Sequence, residues 1–519
     1  MAENASGSAV DTLGFMKRFV VTLVSPDNKQ RKVITRMVDT LTITEDIFKN
    51  SLYGAVRIID AVDLLGGGPF DAKSKDAAVF PIIGEEFLEI EILLDGKPPV
   101  KLRFAIYRIS DIIYKDNNTK KEYTLEFCSE EHLIDATTAI MKSYNQPNSD
   151  TAKAILKDYL KNESTDNGKF KKNIVNLQPT KGPQKVVIPR LSPFQAMEFL
   201  ARRSIAQDTF ESGSYLFFEN FDGFSFCDVE YLIKKGVDKA KANKKDYEYF
   251  YESTLTANQK KEDPQRQFKT ITTMQHTVSF DTIQKLKFGM YESDVILYDF
   301  INHKTIPTRF RFANNDTRDN NKTLTLGNKE DKSYPENSLT FLKSYISNDD
   351  KDVKYTRKFF IAKDTSSTTL DNYLDNVYPA RASYFTRLAQ NMYTINTFGD
   401  TTIRAGDVIM LNIPESQGEN NDGGIDKYQS GYYLIGTIRH IFSATTYMTK
   451  MDIYKNAIGA QLTNTEEAKN TKVKPTDNKA IAEQAPADQS PEAVEAADPE
   501  DPNQKNSSPS VVGFLKGLL

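Results

Sequence analysis

The sequence has no tryptophan and only two cysteines, Cys128 and Cys227, far apart along the chain. Two thiols cannot build a disulfide framework or a cysteine-rich zinc site, so both read as buried or half-buried free thiols. No apolar run approaches the roughly 18 residues that a membrane-spanning helix needs. Residues 1–11 are small and polar, with neither the basic nor the apolar segment of a signal peptide. Synthesis in the cytoplasm and no membrane insertion are therefore expected. Neither sign of charge is in excess: 67 Lys and Arg face 71 Asp and Glu, a net of −4. A protein that holds nucleic acid tightly carries a basic surplus to neutralise phosphates, so that class is disfavoured.

The motifs of enzyme chemistry are missing as well. There is no G-x-x-x-x-G-K-[ST] phosphate loop, no G-x-G-x-x-G, no H-E-x-x-H and no G-x-S-x-G. Gly66-Gly67-Gly68 precedes Pro69 with no Lys-Ser/Thr after it, so it reads as a loop. The four histidines, His132, His276, His303 and His440, stand alone, and no two share a metal-ligand spacing. His440, next to Arg439, reads as an exposed or hydrogen-bonded strand residue. No catalytic residue, cofactor or metal site is assigned. A cell-wall hydrolase working through a carboxylate pair stays open, because 71 acidic residues always offer pairs.

What is present is a long chain with material for cores. Its 519 residues are 39% hydrophobic and include 31 Phe and 25 Tyr, enough for two to four domains. Residues 13–130 read as a first β-barrel. Alternation marks strands such as Lys17–Ser25, Tyr53–Ile59, Phe87–Leu94, Val100–Ile106, Ile109–Tyr114 and Tyr123–Phe127. Residues 131–270 read as an α+β insertion. It holds helices over Glu130–Lys142 and Asp150–Lys161, the latter capped by Ser149 or Asp150. A third helix at Ser192–Ile205 is opened by Ser192 and Pro193. A hairpin turns at Asp222-Gly223. The six lysines of 234–245 read as a solvated loop.

Residues 271–456 return to strands and read as a second barrel, with a helical and loop excursion near 314–392. Residues 457–519 read as a disordered acidic tail. Residues 461–510 contain no aromatic residue and cannot bury enough apolar surface to order themselves. The tail ends on a short apolar segment, from which Phe514, Leu515, Leu518 and Leu519 are candidate docking residues.

The two β regions echo each other. Ile83–Ile92, which holds Gly84, Phe87 and Ile90, echoes Ala405–Ile413, which holds Gly406, Val408 and Ile409: each has glycine and an acid, then an apolar strand. Ile109–Ile113 matches Ile438–Phe442, and Tyr53–Asp60 matches Tyr291–Asp299. Either amphipathic strands coincide by chance, or one barrel occurs twice. Three chains with two barrels each would make a ring of six similar modules.

The segment Thr401–Pro414 resembles the central baseplate hub proteins of contractile-tailed phages. So do Gly431–Phe442, which contains Tyr432, Tyr433, Leu434 and Ile435, and Phe288–Asp299. The hub half of type VI secretion spike proteins is a more distant likeness. This resemblance spans roughly residues 15–456. It implies a mainly β fold with two tube-type antiparallel barrels, an α+β insertion and peripheral domains. It further implies a non-enzymatic homotrimer in the virion tail, joined to the trimeric cell-puncturing spike and to the tail-tube initiator or tube protein. Surrounding baseplate proteins would enclose it, and the tape-measure protein and viral DNA would pass through its lumen. A tube initiator or adaptor is the neighbouring structural alternative. The Lys-rich segment and the acidic tail depart from the family pattern.

Overall fold

A computed structural model describes residues 16–66, 82–94, 96–116, 120–160, 172–207, 213–251, 268–279, 281–290, 292–311, 358–363, 374–389, 391–414, 425–426, 429–443 and 446–455. The first region contributes β1 (Met16–Val24), β2 (Arg31–Val33), β3 (Val38–Asp46), β4 (Tyr53–Asp60), β5 (Phe87–Leu94), β6 (Val100–Lys115) and β7 (Lys120–Cys128). They lie in the order β2-β1-β5-β6-β7-β4-β3, every neighbour antiparallel. β5 shows why these residues form strands: Leu88, Ile90 and Ile92 are buried, while Glu89 and Glu91 alternate with them. Their side chains meet Leu41, Val56, Phe104, Leu125 and Phe127 in one core. The sheet curls round that core, and a 3₁₀ turn at Thr35–Met37 bridges from β2 towards β3. There the Val21 amide donates to Thr35 Oγ1 (2.9 Å) and the Ile34 amide to the Val21 carbonyl (2.9 Å).

The insertion holds α1 (Glu130–Thr137), β8 (Ile140–Gln146), α2 (Asn148–Asp158), β9 (Asn173–Leu177), β10 (Gln184–Leu191), α3 (Pro193–Arg202), β11 (Tyr215–Asn220), β12 (Gly223–Asp228), α4 (Val229–Ala242) and α5 (Lys244–Tyr247). β8 pairs with β10, and β11-β12-β9 form a second small sheet. α3 opens as expected: Ser192 and Gln195 make a reciprocal capping box with Pro193 at the first position. Gly223 holds the β11–β12 turn at φ 135°, and a Cβ there would overlap the Asn173 carbonyl.

Several expectations needed correction. The helix from Glu130 stops at Thr137, and Lys142 lies in β8. β-branched Thr138 takes an extended backbone, and the Thr137 hydroxyl bonds back to the carbonyls of Leu133 and Ile134. α2 starts earlier than Asp150, behind Pro147, and no side chain caps it. The lysine run is helix, not loop. Val229, Leu232, Ile233, Gly236 and Ala240 bury one face of α4, and its lysines occupy the other. Val100–Ile106 and Ile109–Tyr114 form a single strand, β6.

The last region adds β13 (Glu248–Phe250), β14 (Ile271–Ser279), α6 (Thr282–Lys287), β15 (Glu292–Asp299), β16 (Lys304–Arg311), β17 (Lys358–Lys363), α7 (Leu374–Leu388), β18 (Asn391–Phe398), β19 (Val408–Asn412), β20 (Gly431–Ser443) and β21 (Tyr447–Tyr454). The path β14-β18-β21-β20-β19-β13 surrounds a second core containing Tyr249, Ile395, Leu411, Tyr433, Ile438 and Met451. A bridge between Phe250 and Thr270 brings its two ends together, with the Phe250 amide donating to the Lys269 carbonyl (3.2 Å).

Five strands recur with matched registers. β3, β4, β7, β6 and β5 correspond to β14, β18, β21, β20 and β19 in the same spatial order. The bulges coincide too. The β6–β7 ladder shifts between Ile106 and Arg108, with Ile106 opposite Phe127. The β20–β21 ladder shifts between Ile435 and Thr437, with Ile435 opposite Ile453. β3–β4 shifts between Val38 and Thr40, and β14–β18 between Ile271 and Thr273. Alternation alone does not place an extra residue at the same rung twice, so the echo reflects one barrel occurring twice. One expected match fails. β15 pairs with β16 and β17 in a separate sheet, so Tyr291–Asp299 is not the counterpart of Tyr53–Asp60. That counterpart is β18, where Tyr393 stands at the position of Gly54.

Candidate assembly seam

The barrels join through β20. β21 runs along one edge of β20, while the other edge is shared. Gly431–Leu434 pair with β19, and Thr437–Ser443 pair with Asp46–Thr40 of β3. One strand thus belongs to two barrels, and thirteen strands form one sheet.

Polar groups fasten the seam. His440 on β20 is fully buried; its Nε2 lies 3.3 Å from Glu45 Oε1 of β3 and its Nδ1 lies 2.8 Å from the Tyr447 hydroxyl. The other oxygen of Glu45 accepts the Ala405 amide at 3.0 Å. The tip of the β11–β12 hairpin keys onto this cluster. Phe221 stacks on the His440 ring at 4.7 Å between centroids, and Asp222 accepts from Arg404 Nε at 2.9 Å. Buried polar groups of this kind are costly unless paired, so each partner specifies where the others sit.

Beside them, Asp46 is buried and accepts the Phe48 amide at 2.9 Å. Burial raises its carboxyl to about 6; the Phe48 bond and Lys49 oppose the rise, and Asp452 adds to it. Asp452 is held by Thr394 (2.7 Å) and Arg439 (3.2 Å). On the β18–β19 connection, next to Gly399 against the Tyr447 ring, Asp400 is buried against Lys269 at 2.7 Å. Burial alone would raise its carboxyl, but Lys269 and Thr402 outweigh that and hold it at about 2. The insertion is riveted to the first barrel by Glu219. Its Oε2 accepts from the Leu52 amide (3.0 Å) and Ser129 (2.6 Å), and Lys172 pairs with its other oxygen.

Gly84 and Gly406 both take left-handed φ, 91° and 94°, ahead of β5 and β19. The two turns match when shifted by one residue. The Ile83 amide donates to Glu86 and the Arg404 amide to Asp407, and the carbonyls of those acids accept from Ile106 (2.8 Å) and Ile435 (2.9 Å). Phe87 and Tyr432 are half-buried, while Ile90, Val408, Ile409, Tyr433, Leu434 and Ile435 lie in the cores. Phe514, Leu515, Leu518 and Leu519 lie outside the described residues, as does the 457–519 segment. Sequence reading did not find Glu45, Asp46, Lys269 or Asp400. An acid inside an alternating strand looks solvent-facing until the partner strand is known.

Cys128 and Cys227 are buried free thiols, and burial pushes the Cys128 thiol up to about 12. Among the described residues no group of three or more His, Cys, Asp or Glu side chains could hold a metal ion.

No protein-family model matches the chain, and no curated protein matches it. Among solved structures it is similar to a tail protein from Neisseria meningitidis MC58, with TM-score 0.45 and 11% identity over 85% of this chain and 97% of that one. It is also similar to the 43 kDa tail protein of prophage MuSo2 from Shewanella oneidensis, with TM-score 0.45 and 9% identity over 85% and 99%. An E. coli component of the type VI secretion system matches at TM-score 0.35 and 8% identity over 82% and 76%. All three scores are below 0.5.

Proposed function

We propose that this protein is the central hub of a phage tail baseplate, a homotrimeric ring with pseudo-six-fold symmetry that joins a trimeric spike to a six-fold tail tube. The observation that carries this reading is the doubled barrel, with the same strand order and bulges at the same rungs. A part that meets three-fold symmetry on one side and six-fold on the other needs two equivalent walls per chain. The motifs around Gly406 and Tyr432–Ile435, which resemble hub proteins in sequence, build the second of those walls. The first is built by β3 to β7, with Gly84 in the turn that leads into Phe87 and Ile90 of β5. The protein works by geometry and not by bond chemistry; tape measure and DNA cross the bore, and the near balance of charge avoids tight phosphate binding. Phe514, Leu515, Leu518 and Leu519 dock as a tethered anchor on a neighbouring baseplate protein, and deletion of 505–519 would then weaken assembly.

Native mass measurement tests the central claim. Three chains of 58.7 kDa give about 176 kDa, and negative-stain images should show a ring of six lobes. A monomer, or a ring of six separate chains, would refute the hub reading; the latter would support a tube initiator.

A further inference from the structure

Within the chain, β20 fills its second edge in two parts: β19 along Gly431–Leu434, then β3 along Thr437–Ser443. Its counterpart β6 does only the first half of this. β5 pairs with Val100–Ala105, and beyond Ile106 that edge faces no strand among the described residues. Asp111–Lys115 are exposed there, and Tyr114 is 62% exposed where its counterpart Phe442 is 0% exposed. The counterpart of β3 is β14. It pairs with β18 on one edge, and its other edge likewise faces no strand along 271–279 among the described residues. Thr272, Thr273, Gln275, His276 and Thr277 are exposed. The chain therefore contains one closed seam and both halves of an open one. The halves stand at opposite ends of the path β14-β18-β21-β20-β3-β4-β7-β6. A long open edge presents a row of backbone donors and acceptors and invites strand addition.

The irregularities of the two open edges fit each other. Relative to β7, β6 carries one extra residue between Ser110 and Ile113, and relative to β18, β14 carries one extra between His276 and Val278. Transferring the internal seam, Arg439 opposite Thr44 becomes Ser110 opposite Val278, and Phe442 opposite Leu41 becomes Tyr114 opposite Met274. The extra residues then face each other, Asp111 against Thr277 and Ile112 against His276, so the ladder keeps step on both sides of them. A single unmatched bulge would break it.

We infer that neighbouring copies of this chain join edge to edge, β6 of one pairing antiparallel with β14 of the next over residues 110–115 and 273–278. This rests on the trimer reading above. A junction that repeats the internal seam moves each barrel to the next by the same rotation, the condition for three chains to close as six modules. The test is a Lys115→Cys, Thr273→Cys double variant treated with a short bismaleimide, alongside native mass. Cys128 and Cys227 are buried and stay silent. The expected result is a covalent dimer and trimer ladder on a denaturing gel. Each single variant, and the out-of-register pair Lys115→Cys with Thr277→Cys, should give at least tenfold less. Hydrogen exchange on the unaltered protein provides a second reading: amides of 110–115 and 273–278 should be as protected as those of 437–443. A trimer by mass with no cross-link and fast exchange at these amides overturns the edge pairing and leaves the hub reading standing. Absence of a trimer overturns both.

Discussion

Replacing Asp46 by Asn removes an ionisable group from the seam while keeping its bond. The side chain is buried and one of its oxygens accepts the Phe48 amide, a role an Asn carbonyl can take over. Its carboxyl is raised from 3.8 to about 6, with burial as the largest cause. A carboxyl raised on folding binds its proton more tightly in the folded state. The fold therefore loses stability as pH climbs from about 4 to about 6, and above that range the full penalty of the buried charge is present. A shift of about 2 units at 1.36 kcal/mol each gives a penalty of about 3 kcal/mol. Urea unfolding from pH 4 to pH 7.5 measures it. Asp46→Asn should match the unaltered protein near pH 4 and exceed it by about 2–3 kcal/mol at pH 7.5. A difference that does not change with pH, or one that favours Asp46 at pH 7.5, would refute the reasoning.

Asp400 should behave in the opposite sense. Its carboxyl is held near 2, so the stability it contributes is present above 3.8 and lost as pH falls towards 2. Lys269→Met leaves it buried and unpaired and should cost about 3–5 kcal/mol at pH 7 by denaturant unfolding. His440→Leu removes a partner from Glu45 inside the seam; a double-mutant cycle with Glu45→Gln should give a coupling above about 1 kcal/mol. Gly54→Ala puts a Cβ onto the Thr42 carbonyl and the Phe127 ring. It should lower the melting temperature by several degrees, for a loss of about 3 kcal/mol or more.

The sequence by itself determined the class of the fold: alternation at period two marks most of the barrel strands, and Ser192-Pro193 and Asp222-Gly223 mark a helix start and a turn through local chemistry. It also held the doubling in outline, because Ile83–Ile92 and Ala405–Ile413 bury the same face and share a glycine turn. Local rules misled wherever the outcome depended on distant neighbours. β8 was misread because it forms against β10, a partner that local pattern does not reveal; in α4 the lysines masked Val229, Leu232, Ile233, Gly236 and Ala240, whose helical spacing stands in the sequence and which pack towards β19. β15 copied the pattern of β4 closely enough to mimic it, and strand pairing alone showed β18 to be the true counterpart. The tertiary structure decided the seam. Whether β20 continues past β19 to meet β3, and whether Glu45 is a surface acid or the partner of His440, depends on a strand pairing between residues nearly four hundred positions apart in sequence. Periodicity records which face of a strand is apolar; it holds no record of which strand comes to lie beside it.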